Sequence, residues 1–393
     1  MRRMTQPPDK LPISALIALY FAGLCAATQF AKVSVPFEAL RDAYPEAGAE
    51  LGFLVSIISF LGVVLGLFAG IVVSRVGFRR LLIAALLFGA ILSGAESLLP
   101  PFPVMLALRL LEGASHLVIV VAAPTLMAVI SPAQYRPAVM TVWSTFFGAG
   151  FFLMAWLGTP LVASHGLPVL LHLHGLAMIV VAGALWHVLP RGAVPVSDER
   201  LSLRMVLHRH RAAYRSPSVA APAMGWLCYT LTYVALLTVL PGQLSEADRA
   251  WAATLMPVAG MVVSMTLGMV LLVRIRAVSL VTTGFLLAAG MTLVLMAQSS
   301  SAWLAIGLMA MLGLVQSSSF AAIPQLNPDP NDQALANGAM AQMGNLGNTL
   351  GTPLLLVLLE VGGVPAIYLG LCLCYVLGAG LHLAQARRRQ RLA

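Results

Sequence analysis

Three ionisable side chains share one face of an apolar segment that is long enough to cross a bilayer. Arg109, Glu112 and His116 lie between Val104 and Ile130, three and four residues apart. A helix of about 3.6 residues per turn places them on the same side. An ionised group in contact with lipid costs between about 2.5 and more than about 10 kcal/mol, so such residues face a bundle interior or a water-filled cavity. The pattern predicts that this helix face lines a cavity.

The composition places this segment in an integral membrane protein. Of the 393 residues, 60% are apolar and 9% are charged, and the mean hydropathy is +0.91. A span needs about 20 apolar residues, and the alternating strands of a membrane barrel are absent from the sequence. The sequence therefore predicts twelve helices, at residues 12–36, 48–72, 80–98, 104–130, 138–163, 168–189, 218–240, 249–273, 277–297, 302–325, 334–358 and 364–386.

The distribution of charge assigns the two sides of the membrane. If the N-terminus is cytoplasmic, most of the 23 Lys and Arg residues fall on the cytoplasmic side, as the positive-inside rule expects. We therefore expect both termini in the cytoplasm, and we interpret the net charge of +9 as topological, not as a nucleic-acid-binding surface. The same topology places eight acids at the outer face: Glu38, Asp42, Glu46, Glu50, Glu96, Glu246, Asp248 and Glu360.

A polar linker divides the chain into two comparable halves. Residues 1–190 and 218–393 each contain six predicted spans, and residues 191–217 between them can form an amphipathic helix on the inner leaflet. The tetrapeptide GTPL at residues 158–161, near the end of span five, recurs at residues 351–354, near the end of span eleven. Recurrence at equivalent places predicts an internal duplication, and paired six-helix repeats hold their ligand between the two halves.

The loop after span two resembles the signature loop of the major facilitator superfamily, which runs roughly G-x-x-x-D-R-x-G-R-R. Two positions depart from that pattern, because Ser74 replaces the usual Asp and Phe78 replaces the first of the paired basic residues. The resemblance implies a gating role for the matching residues and for one additional arginine: Gly70, Arg75, Gly77, Arg79 and Arg80.

Span four carries a second resemblance, because Arg109 and Gly113 are similar to the family's R-x-x-x-G motif. Membership of this family implies an all-α membrane protein with twelve transmembrane helices in two six-helix, pseudo-symmetric bundles. It also implies that helices one, four, seven and ten line a central cavity, and that transport proceeds by alternating access.

In that fold, the ionisable stripe of span four faces a stripe of span one that carries Gln29 and Lys32. Spans seven, ten and eleven would contribute neutral polar side chains, for which hydrogen bonding between helices is the alternative to substrate contact. The predicted substrate-binding residues are Lys32, Arg109, Gln29, Tyr229, Tyr233, Gln316 and Asn345.

Three interpretations of the charged residues remain open. In the first, Arg109 and Lys32 hold a carboxylate or a similar anion, since Lys32, Arg109 and Glu112 together carry a formal charge of +1. In the second, Glu112 exchanges a proton as the cavity alternates, with His116 as its partner. In the third, Arg109 and Glu112 form a buried pair that only positions helices.

Other chemistries find little support in the sequence. Glu112 and His116 have the spacing of two metal ligands but no third ligand, so no metal is predicted. No GxxxxGK[ST] loop is present, which argues against an ATP-driven protein, and no cofactor or enzymatic activity is expected. The four cysteines, Cys25, Cys228, Cys372 and Cys374, lie inside apolar spans and are interpreted as packing residues.

The sequence and the resemblance together predict a secondary transporter in the bacterial inner (plasma) membrane. Its substrate is expected to be a small polar solute, anionic in the first interpretation, moved by a proton-coupled symporter that acts as a monomer among membrane lipids. A proton-driven exporter of drugs or amphipathic metabolites is the alternative within the same class. A non-transporting membrane sensor of the same fold is the alternative from another class.

Overall fold

The computed structural model describes residues 11–66, 77–189, 211–298 and 300–392, and these are almost entirely helical. Within them, eleven helical stretches are long and apolar enough to cross a membrane. We label them α1 (Ile13–Ser34), α2 (Pro45–Gly66), α3 (Phe78–Glu96), α4 (Phe102–Ile130), α5 (Ala138–His165), α6 (Leu167–Val188), α7 (Pro217–Val239), α8 (Glu246–Leu272), α9 (Ala277–Ala297), α10 (Ala302–Leu326) and α11 (Asn331–Leu392).

The longest stretch, α11, reverses its direction at Gly363. Its 62 residues would extend about 93 Å as one helix, about three times the hydrocarbon thickness of a bilayer. Gly363 leaves the helical conformation with φ 65° and ψ −163°. Residues 331–362 run parallel to α7, with Gly344 against Trp226 and Gly351 against Leu231. Residues 364–392 run the opposite way, with Cys374 at Cys228 and Arg389 at Pro217.

This reversal supports the prediction of twelve crossings, since α11 holds both predicted spans eleven and twelve. The grouping of the crossings into two six-helix bundles stays a prediction. Residues 190–210, which contain most of the predicted linker helix, lie outside the described residues.

Helix α4 lies in very close contact with α2, and the R-x-x-x-G sequence explains how. A Cβ atom at Gly113 would overlap the carbonyl oxygen of Ile58, so only glycine permits the observed approach. One turn earlier, Arg109 Nε donates a hydrogen bond to the carbonyl of Leu54 at 2.7 Å. That carbonyl lies just before Ile57–Ser59, where α2 changes to a 3₁₀ helix and its hydrogen-bonding pattern is interrupted.

The second half of the chain repeats this close approach without the charge. A Cβ atom at Gly313 of α10 would overlap the carbonyl oxygen of Gly260 of α8. Met309 occupies the position four residues before Gly313, where α4 carries Arg109. The equivalent placement of the two glycines supports the predicted duplication.

Among the described residues, contacts between the two predicted halves include the following three pairs of helices. The last residue of α1 reaches α7, because the hydroxyls of Ser34 and Thr238 lie 2.6 Å apart and both side chains are buried. Helix α2 meets α11 where the backbone of Gly62 lies against the Asn345 side chain. Helix α5 meets α8 at Gly148, whose added Cβ would lie 3.7 Å from Met261.

The predicted gating loop is described only in part. Gly70 and Arg75 lie outside the described residues. Gly77 precedes α3 with φ 92°, a conformation that favours glycine. Arg79 stacks on the Trp186 ring at 4.4 Å and donates to the Trp186 carbonyl, so it joins α3 to α6 within one predicted half, while Arg80 is exposed.

Substitution at Gly113 tests the close approach of α4 and α2. Gly113→Ala should destabilise the protein by about 1–3 kcal/mol, because its methyl group would meet a backbone carbonyl that cannot rotate away. Gly94→Ala in α3 is the matched control, since a Cβ there meets nothing within 4 Å. Thermal unfolding in detergent measures both variants, and equal melting temperatures would contradict this packing.

Candidate functional site

Four charged side chains meet near the predicted outer end of α1, α3 and α4. Lys32 Nζ lies 2.6 Å from Glu96 Oε2 and 2.8 Å from Glu112 Oε1. Arg109 Nη1 pairs with Glu112 Oε2 in the same helix and lies 3.8 Å from Glu96 Oε1. We call Lys32, Glu96, Arg109 and Glu112 the charge quartet.

The charge quartet is fully buried and formally neutral. Each of its four side chains is 0% exposed. Two cations face two carboxylates, so the net charge of +1 expected from the sequence is wrong. The difference comes from Glu96, which was expected among the exposed acids of the outer face but is the buried last residue of α3. Ionised groups survive such burial only when they are paired and hydrogen-bonded.

Polar groups of α3 and α6 support the quartet on the side away from α4. Lys32 Nζ donates to Ser93 Oγ at 2.7 Å, and Ser93 Oγ donates to the carbonyl of Leu171 at 2.9 Å. His174 Nδ1 lies 2.9 Å from the same hydroxyl, and its Nε2 lies 3.2 Å from the carbonyl of Cys25. These bonds fix the lysine between α3 and α6.

Two further predicted site residues lie on the same stripes but in separate hydrogen-bond groups. Gln29 Nε2 donates to Ser115 Oγ at 3.1 Å, and Ser115 in turn donates to the carbonyl of Ala85. His116 Nδ1 lies 3.1 Å from the carbonyl of Ala26. Both side chains are therefore buried next to the quartet and hydrogen-bonded within the same predicted half, while Gln29 Oε1 has no hydrogen-bond partner among the described residues.

A row of aromatic rings connects His116 to the second half of the chain. The Phe30 ring lies edge-on to His116 at 5.1 Å and to Phe147 at 5.7 Å. Phe147 lies 6.4 Å from Tyr233, which stacks on Tyr229 at 5.2 Å. The row continues from Tyr229 to Trp226, whose ring centroids lie 4.3 Å apart, and then from Trp226 to Phe320, at 5.1 Å. We call these seven rings the aromatic row: His116, Phe30, Phe147, Tyr233, Tyr229, Trp226 and Phe320.

The structure brings three of the predicted neutral residues together and separates the fourth. Tyr229 and Tyr233 belong to the aromatic row, and Tyr229 Oη donates to Gln316 Oε1 at 3.4 Å. Asn345 instead packs on Gly62 and donates to the carbonyl of Ala341 in its own helix. Asn345 therefore packs against α2 and makes its hydrogen bond within its own helix.

Sequence reasoning missed Glu96 and His174 as members of this site. Glu96 lies inside predicted span 80–98, so a buried acid was already indicated, but its nearness to the span end favoured a loop position. His174 was not among the predicted site residues. Only tertiary structure shows that it shares the Ser93 hydroxyl with Lys32.

No group of three or more His, Cys, Asp or Glu side chains that could hold a metal ion occurs in the described parts of the chain. The arrangement can therefore do two things with the residues at hand. It can take up and release protons at two carboxyls, and it can bind a solute against aromatic and amide groups.

The fold and the site define a polytopic helical membrane protein with a charged cluster buried inside one half. The family model of the Major Facilitator Superfamily matches residues 19–352, which is most of the chain. The protein therefore belongs to the Major Facilitator Superfamily and is a membrane transporter; members of the family are transporters and not enzymes. No individual curated protein matches the chain.

Removing one member of the quartet should be costly. Lys32→Ala leaves two buried carboxylates with one cation, and breaking a buried pair in this way costs about 3–5 kcal/mol. Arg41→Ala is the matched control, because Arg41 pairs with Glu38 at 2.8 Å on the surface, with side chains 47% and 48% exposed, and exposed pairs contribute about 0–1 kcal/mol. Thermal unfolding in detergent compares the two losses, and equal losses would contradict the buried pairing.

Proposed function

We propose that this protein is a proton-coupled secondary transporter of the cytoplasmic membrane, and that the charge quartet is its coupling site. The observation that carries the proposal is a fully buried, electrically neutral set of two cations and two carboxylates. In this proposal, twelve helices form two bundles, residues 1–190 and 218–393, which move against each other by alternating access.

Electrostatics links protonation of the quartet to movement of the helices. A proton on Glu96 or Glu112 changes the charge of the quartet from zero to +1. An uncompensated charge inside protein costs several kcal/mol, and each member of the quartet is shielded from water. The quartet therefore exchanges protons only when the surrounding helices open it to water, and this is the condition for coupling.

Contacts at one end of the molecule support a closed gate there. Ser34 of α1 and Thr238 of α7 are joined by a buried hydrogen bond of 2.6 Å. Nearby, a Cβ atom at Gly52 of α2 would lie 2.8 Å from the nitrogen of Pro353 in α11. With the predicted topology, both contacts close the outer end.

The surroundings of the aromatic row favour an uncharged or amphipathic solute with a planar ring. Residues 217–245, 277–328 and 333–359 contain no Asp, Glu, Lys or Arg, so the second half offers no counter-ion to a charged solute at membrane depth. The open end of the row is formed by Phe320, which is 48% exposed, beside half-buried Trp226 and Gln316. Rings bind planar groups by stacking, and the amide supplies a hydrogen bond.

An anionic solute is the second candidate, and one observation favours it. Arg109 Nη2 is buried without a hydrogen-bond partner among the described residues. Burial of an unsatisfied donor is costly, and a carboxylate placed there would satisfy it. Against this candidate stands the pairing of Arg109 and Lys32 with two internal carboxylates.

Ligand-induced thermal stabilisation separates these two candidates. We expect uncharged aromatic amphipaths to raise the melting temperature of the purified protein and simple carboxylates to leave it unchanged. At a ligand concentration of 100 times the Kd, binding adds about 2.7 kcal/mol to the free energy of unfolding. Trp226→Leu should weaken that binding by up to about tenfold, because an aromatic pair contributes about 0.5–1.5 kcal/mol.

The matched control for this screen is Trp156→Leu, since Trp156 is 57% exposed and stacks on Phe152 of its own helix. Its ligand response should equal that of the unsubstituted protein. Stabilisation by carboxylates that disappears in Arg109→Lys but persists in Trp226→Leu would instead establish the anionic solute.

A cross-link between α1 and α7 tests alternating access. In a protein whose four native cysteines are replaced by alanine, Ser34→Cys/Thr238→Cys should form a disulfide on oxidation, because the two hydroxyl oxygens already lie 2.6 Å apart. The bond should stop transport into proteoliposomes of a solute found in the screen, and a reductant should restore it. Each single-cysteine variant is the control, and undiminished transport by the oxidised double variant would refute this gate.

A further inference from the structure

Of the four residues of the quartet, Glu96 lies nearest to the predicted outer surface. It ends α3, and the connection to α4 begins directly after it. Within two residues the chain reaches Leu98, which is 81% exposed, whereas Glu96 itself is 0% exposed. Two residues of backbone therefore separate a sealed carboxyl from the surface of the protein.

The two carboxyls of the quartet are held differently. Glu112 Oε1 accepts a hydrogen bond from Lys32, and Glu112 Oε2 accepts one from Arg109. Glu96 has its ion pair with Lys32 at 2.6 Å, but neither of its oxygens accepts a hydrogen bond of good geometry from any described residue. Glu96 thus has unused acceptor capacity in a place where water does not reach.

Glu96 and Glu112 are also close enough to share a proton. Both carboxyls contact the same ammonium group of Lys32, at 2.6 Å and 2.8 Å, and both face the same nitrogen of Arg109, Nη1. Two ionised carboxylates so placed repel, whereas one proton between them replaces that repulsion with a hydrogen bond. A proton that reaches Glu96 can therefore pass to Glu112 without crossing open space.

The turn that follows Glu96 is held by hydrogen bonds, and we call this turn together with Tyr44 the cover. Leu99 N–H donates to the Glu96 carbonyl at 3.0 Å, and Tyr44 Oη donates to the carbonyl of Pro100 at 2.8 Å. The Tyr44 ring also contacts Phe102 at 5.8 Å. Leu99 has φ 46°, a conformation that is strained for a residue with a side chain. Burial raises the pKa of Tyr44, and the negative charge of Glu96 adds to that shift.

The charged groups around Glu96 are Lys32 of α1 and Arg109 and Glu112 of α4. The other titratable groups of the surrounding elements have different partners: His174 of α6 lies at Ser93, His116 of α4 lies at the carbonyl of Ala26, and Tyr44 before α2 donates to Pro100. Helix α2 presents the Leu54 carbonyl to Arg109.

We propose that Glu96 is the port through which the quartet exchanges its proton with water at the predicted outer end, and that Glu96 and Glu112 share that proton. A hydronium ion gives its proton to the Glu96 carboxylate, which leaves water and a neutral acid. The acid then donates to the Glu112 carboxylate, while Lys32 and Arg109 keep their protons. This inference rests on the proposed function and adds the residue and the side from which the proton enters.

Infrared difference spectroscopy tests the port without any solute. The protein is reconstituted in lipid, the pH is lowered stepwise, and the carbonyl stretch of protonated carboxylic acid is followed. We expect the unsubstituted protein to show a titrating band that is lost in Glu96→Gln and in Glu112→Gln. A band in Glu96→Gln that titrates as in the unsubstituted protein would overturn the proposal.

Two controls keep this result interpretable. Glu46→Gln removes an exposed acid and should leave the band unchanged. Glu96→Gln leaves an uncompensated cation and can unfold the protein. The double variant Lys32→Met/Glu96→Gln is therefore the second control, because it removes one cation and one carboxylate together and retains the neutral Arg109 and Glu112 pair. This variant should fold and also lack the band, and a persisting band in it would again overturn the proposal.

The rate of protonation tests the cover. Tyr44→Phe removes the hydrogen bond to the Pro100 carbonyl, so after a sudden fall in pH the band should rise about fivefold faster, the factor that one hydrogen bond commonly provides. An unchanged rate would refute the outer port at this cover.

Failure of the proposed function has a different signature, namely solute transport by the unsubstituted protein whose rate does not respond to an imposed pH gradient.

Discussion

Charge balance inside the first half is the constraint on which the other features of this structure depend. Two cations and two carboxylates from α1, α3 and α4 are buried together, and none of them could remain ionised there alone. The need to pair them fixes the relative depth of three helices. It also explains the surrounding polar groups, since Ser93 and the Leu54 carbonyl satisfy donors that the carboxylates do not reach.

The two predicted halves are alike in one close helix approach but differ in chemistry. Gly113 and Gly313 permit the same close helix approach, yet Met309 stands where α4 carries Arg109. The first half therefore holds the charges, and the second half presents rings and amides. The aromatic row is the physical connection between them, because it begins beside Gln316 and ends at His116, one turn from Glu112.

The helices and the shared face of Arg109, Glu112 and His116 could be predicted from the sequence, because hydropathy and helical period are local properties. Sequence reasoning also selected Lys32, because the family resemblance places its stripe of span one opposite the ionisable stripe of span four. It could not identify Glu96 as the partner of Lys32. Whether an acid at a helix end turns inward or outward depends on what the neighbouring helices offer, and that is decided by tertiary packing. The aromatic row was missed for the same reason, since its rings come from five different helices.

The neutrality of the quartet also constrains how either type of solute could be carried. An anion bound at Arg109 would make the site negative by one charge, and one proton on Glu96 or Glu112 would restore neutrality. Anion and proton would then cross together without net charge movement. An uncharged solute leaves the quartet neutral, so a proton carried with it adds one positive charge to each cycle. In the proposed function, the electrical character of transport therefore follows from the same four buried side chains, whichever type of solute is carried.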